Sequence, residues 1–353
     1  MSILITGGAG YIGSHCNKAF RENGYDTIVL DDLSNGHREA VGETELIVGD
    51  IGDKKLLGNI FTQNKIDGVI HLAAKKSVEE SVINPSLYYE ENVVKTKTLI
   101  DVMLENKINI FVFSSTASVY GDVGQTIIGQ SDIGQSDDDS MDQASIDENF
   151  PTDPINPYGQ SKLMVEHILE DYDAAYGLNF CSLRYFNVAG ADPAGEIGSS
   201  GKEEKNIMPI LMKAVSEGQK IKVNGDDYNT RDGSCIRDYI HVMDLAEAHL
   251  LAYEYLKKGD GSCSGGDCSR GDGSCIVNLG SRNGYSVLEL IRETETVTGK
   301  KINYEIGPRR AGDPEIIVAS NKKAEELLGW VPKRSNIQDI IRDSYNWELS
   351  KKY

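Results

Sequence analysis

Thr6-Gly7-Gly8-Ala9-Gly10-Tyr11-Ile12-Gly13 is the stretch that decides the fold. It follows directly on Ile3-Leu4-Ile5, which reads as a strand, and it opens a helical pattern. Its glycines are spaced G-x-x-G-x-x-G. Glycine lets the backbone approach a pyrophosphate, whose charge is held by the N–H groups of a helix N-terminus. A glycine-rich run alone is a weak signal; a strand before it and an acid after it make it specific. Asp31 lies eighteen residues past Gly13, at the end of the second strand, where a carboxylate accepts hydrogen bonds from both hydroxyls of an adenosine ribose. The same carboxylate, with Asp32 beside it, repels a 2′-phosphate, so NAD is the expected cofactor. Arg38 keeps NADP open.

Outward from this stretch the rhythm is βαβ. Residues Ile3 to Thr6, Thr27 to Leu30, Gly68 to Leu72 and Ile108 to Ser114 read as strands separated by amphipathic stretches. Such alternation predicts an α/β fold, a Rossmann-type doubly wound parallel sheet with ligands outside the carboxyl ends of its strands. From about Gly190 the rhythm loosens into Gly- and Pro-punctuated segments. The expected division is a mainly NAD-binding unit over 1–189 and a smaller α/β substrate-binding unit over 190–353, with the chain crossing between them.

The chain has 353 residues, 39% of them apolar, enough for a sizeable core. Its apolar runs fall far short of the roughly 18 residues that cross a bilayer. Met1 is followed at once by the first strand, which leaves no room for a leader peptide and predicts a cytoplasmic protein. A net charge of −19 is a poor match for nucleic acid or anionic lipid. Lys is twice as frequent as Arg, which argues against a halophile's surface. Cys16 and Cys181 stand isolated and read as buried thiols. Two segments interrupt the pattern. Residues 122–150 hold eight acids and no base and repeat Ile-Gly-Gln-Ser-Asp. Residues 259–275 are low-complexity and repeat the Asp-Gly-Ser-Cys of 232–235. Cys263, Cys268 and Cys275 are spaced by gaps of four and six with no His nearby, unlike a structural zinc site, so no metal is expected. Both segments read as surface inserts.

Tyr158-Gly159-Gln160-Ser161-Lys162 places a phenol and an ammonium four residues apart, on one face of a helix. A phenol of ordinary pKa, about 10, is a poor base at neutral pH. Lowering it by about three units takes roughly 4 kcal/mol of phenolate stabilisation, which a nearby Lys and a nicotinamide positive charge supply together. Ser114-Ser115-Thr116 follows a predicted strand, where ligand contacts belong. A hydroxyl there can share a proton with a sugar hydroxyl and the phenolate, giving acid–base catalysis without histidine.

These motifs, with Ser114-Ser115-Thr116-Ala117-Ser118-Val119-Tyr120-Gly121, Leu183-Arg184-Tyr185-Phe186-Asn187 and Arg237-Asp238-Tyr239-Ile240-His241-Val242, resemble in order the UDP-glucose 4-epimerase family of extended short-chain dehydrogenase/reductases. The resemblance covers nearly the whole chain outside the two inserts. It implies an isomerase whose tightly held NAD takes the hydride from C4 of a UDP-hexose while Tyr158 removes the O4 proton. The 4-keto sugar then turns over and receives the hydride on its other face, interconverting UDP-galactose and UDP-glucose. Thr116, Tyr158 and Lys162 are the implied catalytic residues, Lys162 also bonding the nicotinamide ribose. Around NAD the resemblance implies Gly7, Gly10, Tyr11, Ile12, Gly13 and Asp31, with Asp50 and Ile51 at the adenine. Leu72, Ala73, Ala74, Lys76 and Asn92 line the cleft, and Asp32, Asn35, Ser114 and Tyr185 join them as cofactor contacts.

For the substrate it implies Asn187 and Asn206 on the sugar-diphosphate, Val223 and Tyr228 beside the uracil, and Arg237 and Arg310 on the diphosphate. Two guanidinium forks against two phosphates is also what the chemistry asks for. Asp313 would hold a uridine ribose hydroxyl, and Lys76, Phe186, Ile207 and Tyr239 complete the set. Ile317 matches a position where a bulky Tyr narrows the pocket in some relatives and smaller residues admit N-acetylhexosamines. UDP-N-acetylhexosamines and UDP-pentoses therefore stay open as alternative substrates. Related 4,6-dehydratases resemble Thr-Asp-Glu where Ser115-Thr116-Ala117 stands here, and no carboxylate occupies that place. A non-catalytic NAD-binding scaffold would have no need of Thr116, Tyr158 and Lys162 together. The family expectation is a homodimer, through helices around 85–106 and 157–176.

Overall fold

The structure, a computed structural model, describes residues 2–123, 145–200, 206–258, 273–310 and 314–353. In its first half β1 (Ser2–Thr6), α1 (Tyr11–Glu22), β2 (Asp26–Asp31), β3 (Glu45–Val48), α2 (Lys54–Gln63) and β4 (Ile66–His71) are followed by α3 (Val78–Ile83), α4 (Pro85–Tyr89), α5 (Lys95–Glu105), β5 (Ile110–Ser114), β6 (Ser145–Ile146), α6 (Pro157–Tyr176), β7 (Asn179–Tyr185) and β8 (Asn187–Ala189). Then come α7 (Ile207–Glu217), β9 (Ile221–Asn224), β10 (Ile236–His241), α8 (Val242–Lys258), β11 (Cys275–Leu279), β12 (Gly284–Ser286), α9 (Val287–Thr298), β13 (Tyr304–Gly307), β14 (Ile316–Ala319), α10 (Lys322–Leu328) and α11 (Ile337–Ser350).

Seven of these strands form one parallel sheet in the order β11-β7-β5-β4-β1-β2-β3. Both faces are covered, so neighbouring residues of a strand enter different cores. Ile3 and Ile5 join Val29, Ile70 and Val112 under α1 and α8, whereas Leu4 joins Leu30 and Val69 under α2, α5 and α6. Strand β5 starts at Ile110, two residues later than the apolar run suggested, because Lys107 takes a φ of 61° in the turn after α5. The strand order reverses beside β1, and the crevice at that switch point receives the residues that follow β1, β2, β4 and β5. A smaller body is built on β12-β10-β14-β6, with β8 beside β10, and on the pair β13-β9. Helices α7, α9 and α11 supply its core.

Both inserts begin or end inside the fold, which corrects their reading as surface segments throughout. Ser145–Ile146 pairs with β14, Ile146 is buried, and the Glu148 carboxylate accepts the Asn278 N–H. Cys275 opens β11 in register with Cys181, the two Sγ atoms 3.4 Å apart, so Cys181 is buried but not isolated. Residues 124–144 and 259–272, with Cys263 and Cys268, lie outside the described residues. Among the described residues no group of three His, Cys, Asp or Glu side chains could hold a metal, and no helix is long and apolar enough to cross a membrane.

Buried histidines give the fold a pH limit. His71 sits between the Thr6 and Thr96 hydroxyls at 2.7 and 2.9 Å, and burial lowers its pKa to about 3. Burial likewise lowers His15 and His249 to about 4. Folded values below the ordinary 6.5 mean stability that is present above pH 6.5 and lost as pH falls toward 4. A shift of about 2.5 units corresponds to ~3 kcal/mol for each of His15 and His249. Asp238, raised by burial to about 6, works in the opposite direction, gaining stability as pH falls from 6 to 4. Three histidines against one aspartate leave a net loss. The thermal unfolding midpoint is expected to fall steeply between pH 6.5 and 4; a flat profile there would show that these rings accept protons without unfolding.

Candidate active site

The turn after β1 is shaped by contacts that exclude side chains. Gly7 has a φ of 73°, and a Cβ on it would lie 2.6 Å from the Ala73 nitrogen. A Cβ on Gly13 would lie 2.1 Å from the Gly7 carbonyl. The turn is thus pressed between α1 and the Leu72–Ala73 segment after β4. Gly10 caps α1 without a side chain, so nothing of the cap itself covers the first-turn N–H groups. Asp31 closes the adjacent wall: its carboxylate accepts the Ala9 N–H at 2.9 Å and the Leu33 N–H at 2.8 Å. Burial raises its pKa while these two bonds lower it. Asp32 and Asn35 are exposed on the following loop. The Tyr11 hydroxyl donates to the Gly190 carbonyl at 2.6 Å, tying the turn to the second half of the chain.

Farther along the crevice, Asp50 accepts from the Lys95 ammonium at 2.6 Å beside a cavity of ≈ 270 Å³, and Ile51 turns into the core under α2. Asn92 lies in a π-helical turn, Glu90–Val94, an irregularity common at functional sites. Its amide brackets Lys75, accepting from the nitrogen at 2.8 Å and donating to the carbonyl at 3.0 Å, and also donates to Ser161 at 3.0 Å. Asn92 therefore fixes the strap of 73–76 to the helix that bears Tyr158. Lys76 is exposed and Leu72, Ala73 and Ala74 are half-buried.

Thr116, Tyr158, Lys162, Ser114 and Tyr185 gather where β5, α6 and β7 end or begin. Asn156 caps α6 by accepting the Gly159 N–H, with Pro157 at the first position, so the helix starts just before Tyr158. Gly159 permits close approach, since a Cβ there would lie 2.5 Å from the Ser118 carbonyl. Burial raises the Tyr158 pKa, and the neighbouring Thr116 hydroxyl, which itself donates to the Ser118 hydroxyl at 3.2 Å, acts against that rise by favouring the phenolate. The Lys162 ammonium donates to the Ser114 carbonyl at 2.7 Å and lies 4.7 Å from the centre of the Phe113 ring. Burial lowers it to about 7, opposed by the Glu166 carboxylate. The Ser114 hydroxyl donates to His249 Nε2 at 2.9 Å, because Nδ1 bonds the Leu245 carbonyl.

The substrate set is more dispersed. Phe186 and Ile317 belong to one cluster with Val119 and Leu163, next to α6. Asn187 is exposed and donates to the Asp238 carbonyl at 3.0 Å. Asn206 caps α7 at the surface, with Ile207 following. Val223 is buried in the smaller core, which leaves its backbone as the part able to face a ligand. Tyr228 is buried beneath the Arg309 guanidinium, 4.2 Å from the ring centre. Arg237 bonds its own strand at the Ile236 carbonyl, Tyr239 is buried in the smaller core, and Arg310 is exposed. Asp313 lies outside the described residues.

Residues 3–263 match the NAD dependent epimerase/dehydratase family. The chain belongs to this family. The UDP-glucose 4-epimerase of Halalkalibacterium halodurans is 45% identical over 348 residues, 98% of this chain and 95% of that protein. That of Lacticaseibacillus casei is 43% identical over 350 residues, 98% of this chain and 96% of that protein. The crystal structure of UDP-glucose 4-epimerase from Bifidobacterium longum in complex with NAD+ and UDP superposes with a TM-score of 0.84 at 36% identity, covering 99% of each chain. Within the family this chain stands with the UDP-glucose 4-epimerases; it is an isomerase, and its cofactor is NAD. The glycine turn and the Asp31 carboxylate fit that cofactor, for the reasons given above: no Cβ fits at Gly7 or Gly13, and a carboxylate stands where the adenosine ribose belongs.

Two features of this epimerase site escaped sequence reasoning. His249 comes from α8, 135 positions after Ser114, and no local motif announces it. The Glu166–Arg184 ion pair was half visible: Glu166 continues the four-residue spacing of Tyr158 and Lys162, and Arg184 sits in a quoted motif, but their pairing is tertiary.

Proposed function

We propose that this epimerase interconverts UDP-galactose and UDP-glucose, with Tyr158 as acid–base, Thr116 as its hydroxyl partner and Lys162 as the cation beside them. The observation that carries the reading is the buried Tyr158 phenol beside the Thr116 hydroxyl at the carboxyl end of β5, with Lys162 one turn farther along α6. Reversible hydride acceptance at C4 is the chemistry supplied by NAD when bound. The chain's own part is to move one proton: the phenolate takes it from O4 and returns it after the 4-keto sugar has turned over. Thr116, beside the phenol, is placed to relay that proton between the phenol and O4. Lys162, whose ammonium donates to the Ser114 carbonyl, supplies the positive charge that makes a phenolate tolerable in this buried place.

The first 189 residues serve mainly NAD and the remainder mainly the UDP-sugar, Arg237 and Arg310 being the proposed diphosphate ligands. The proposed assembly is a homodimer; Val82, Ile83, Val94 and Met164 are exposed apolar side chains around α3, the π-helical turn and α6, and support a partner there. The proposed compartment is the cytoplasm, in keeping with Cys181 and Cys275 adjacent as free thiols.

Purified protein given UDP-galactose without added NAD is expected to form UDP-glucose in a coupled assay. No product, even after NAD is supplied, would redirect the reading to another nucleotide sugar. Ile317, intermediate in size, predicts measurable turnover of UDP-N-acetylglucosamine as well; an active enzyme that ignores it would restrict the substrate to the hexoses.

A further inference from the structure

Glu166 stands one turn beyond Lys162 and two beyond Tyr158 on the buried stripe of α6, and is 1% exposed. Its carboxylate accepts three groups that come from two other elements. Arg184, on β7, donates Nη2 at 2.6 Å and Nε at 3.0 Å, and the Ser115 hydroxyl donates at 2.5 Å. Each of these partners adjoins a residue of the site: Ser115 precedes Thr116, and Arg184 precedes Tyr185. Arg184 continues to the Tyr120 hydroxyl at 3.0 Å, which donates to Asn278 at 2.7 Å. No member of this network is among the residues assigned to substrate or NAD.

A buried ion pair is weak evidence for stability, because desolvation offsets the Coulombic gain and apolar residues of similar volume often do as well. Direction is what an apolar cluster cannot supply. A bidentate Arg–carboxylate pair fixes distance and angle together, and this one joins the Thr116 turn, α6 and β7. We propose that Glu166 is a positioning residue that, through Arg184 and Ser115, holds the Thr116 hydroxyl and the Tyr158 phenol at the separation proton transfer requires. The proposal rests on the epimerase roles given above to Thr116 and Tyr158.

The test uses purified holoenzyme variants, each compared with the wild type for kcat and KM with UDP-galactose and for unfolding midpoint. Glu166→Gln/Arg184→Met removes both charges, so neither is left alone in the interior. It is expected to keep an unfolding midpoint close to wild type and an unchanged KM, while kcat falls by at least about tenfold, since misplacements near 1 Å can lower rates about 100-fold. Glu166→Gln alone should lose both midpoint and kcat. Ser115→Ala leaves the ion pair intact, and kcat is expected to drop about threefold or more at a wild-type midpoint. A folded double variant with wild-type kcat would reduce the network to a merely structural role and overturn the proposal. If the double variant does not fold, Ser115→Ala with wild-type kcat overturns it instead. A wild type inactive on UDP-galactose sinks the substrate reading, and the same ratios are then taken with UDP-N-acetylglucosamine as substrate, so the two failures are read from different measurements.

Discussion

Tyr158→Phe is expected to lower kcat for UDP-galactose by about three orders of magnitude while bound NAD stays in place. Positioned acid–base groups contribute about 10²- to 10⁴-fold, and among the described residues nothing near this phenol is set to replace it. Glu166 is fully occupied by Arg184 and Ser115, and His249 is locked between Ser114 and the Leu245 carbonyl. Thr116 remains, but an unassisted hydroxyl is a far weaker base than a phenolate. The ring itself is retained, with its edge-on contact to Tyr88 at 6.5 Å between centres, so the fold should hold. Loss of the hydroxyl should also leave KM within a fewfold of wild type, since O4 is one contact among many. The discriminating measurement is kcat alongside the NAD released on denaturation. Full retention of NAD with a collapsed kcat supports the assignment; an unchanged kcat would remove Tyr158 from the chemistry.

What made so much of this site legible is that its parts lie on local motifs placed by a regular topology. A parallel sheet delivers the residue after each strand to one edge, so Gly7 after β1, Asp31 at the end of β2 and Ser114 at the end of β5 could be assigned to one crevice from strand order alone. The four-residue spacing of Tyr158 and Lys162 survives unchanged because α6 is capped by Asn156 immediately before them. Tertiary placement was less accessible. Residues 145–148 carry part of an acidic, repetitive run, yet Ile146 joins β14 and Glu148 receives the Asn278 N–H. Composition cannot reveal that the end of a polar segment completes a sheet 170 residues away. Cys181 looked solitary for the same reason, its neighbour Cys275 being adjacent only across the β7–β11 ladder. The position of the Lys162 ammonium, on the Ser114 carbonyl, likewise depends on tertiary placement and not on spacing.

Gly13→Ala is the other substitution expected to have a large effect, and it acts on cofactor and fold together. The new Cβ would lie 2.1 Å from the Gly7 carbonyl oxygen and 2.7 Å from the Gly8 Cα, both backbone atoms of the turn proposed to face the pyrophosphate. No rotamer change relieves a clash between two stretches of backbone, so α1 must move away from the turn. The turn cannot follow freely, because Gly7 is already packed on Ala73. Overpacking of this kind costs ~3 kcal/mol. If that strain falls on the liganded geometry, NAD affinity drops about 100-fold, at about 1.4 kcal/mol per decade. The purified variant is therefore expected to contain little NAD and to unfold several degrees below wild type, with added NAD restoring part of its activity. Gly24→Ala separates the two sources of strain. Gly24 has a φ of 82° but no neighbour within 4 Å of a built Cβ, so that substitution carries only the left-handed backbone penalty of roughly 1–2 kcal/mol. It should destabilise mildly and leave NAD content unchanged. Equal NAD loss in both variants would mean that the glycine turn recognises the cofactor through overall stability; loss confined to Gly13→Ala would locate recognition in the close approach of α1 to the turn.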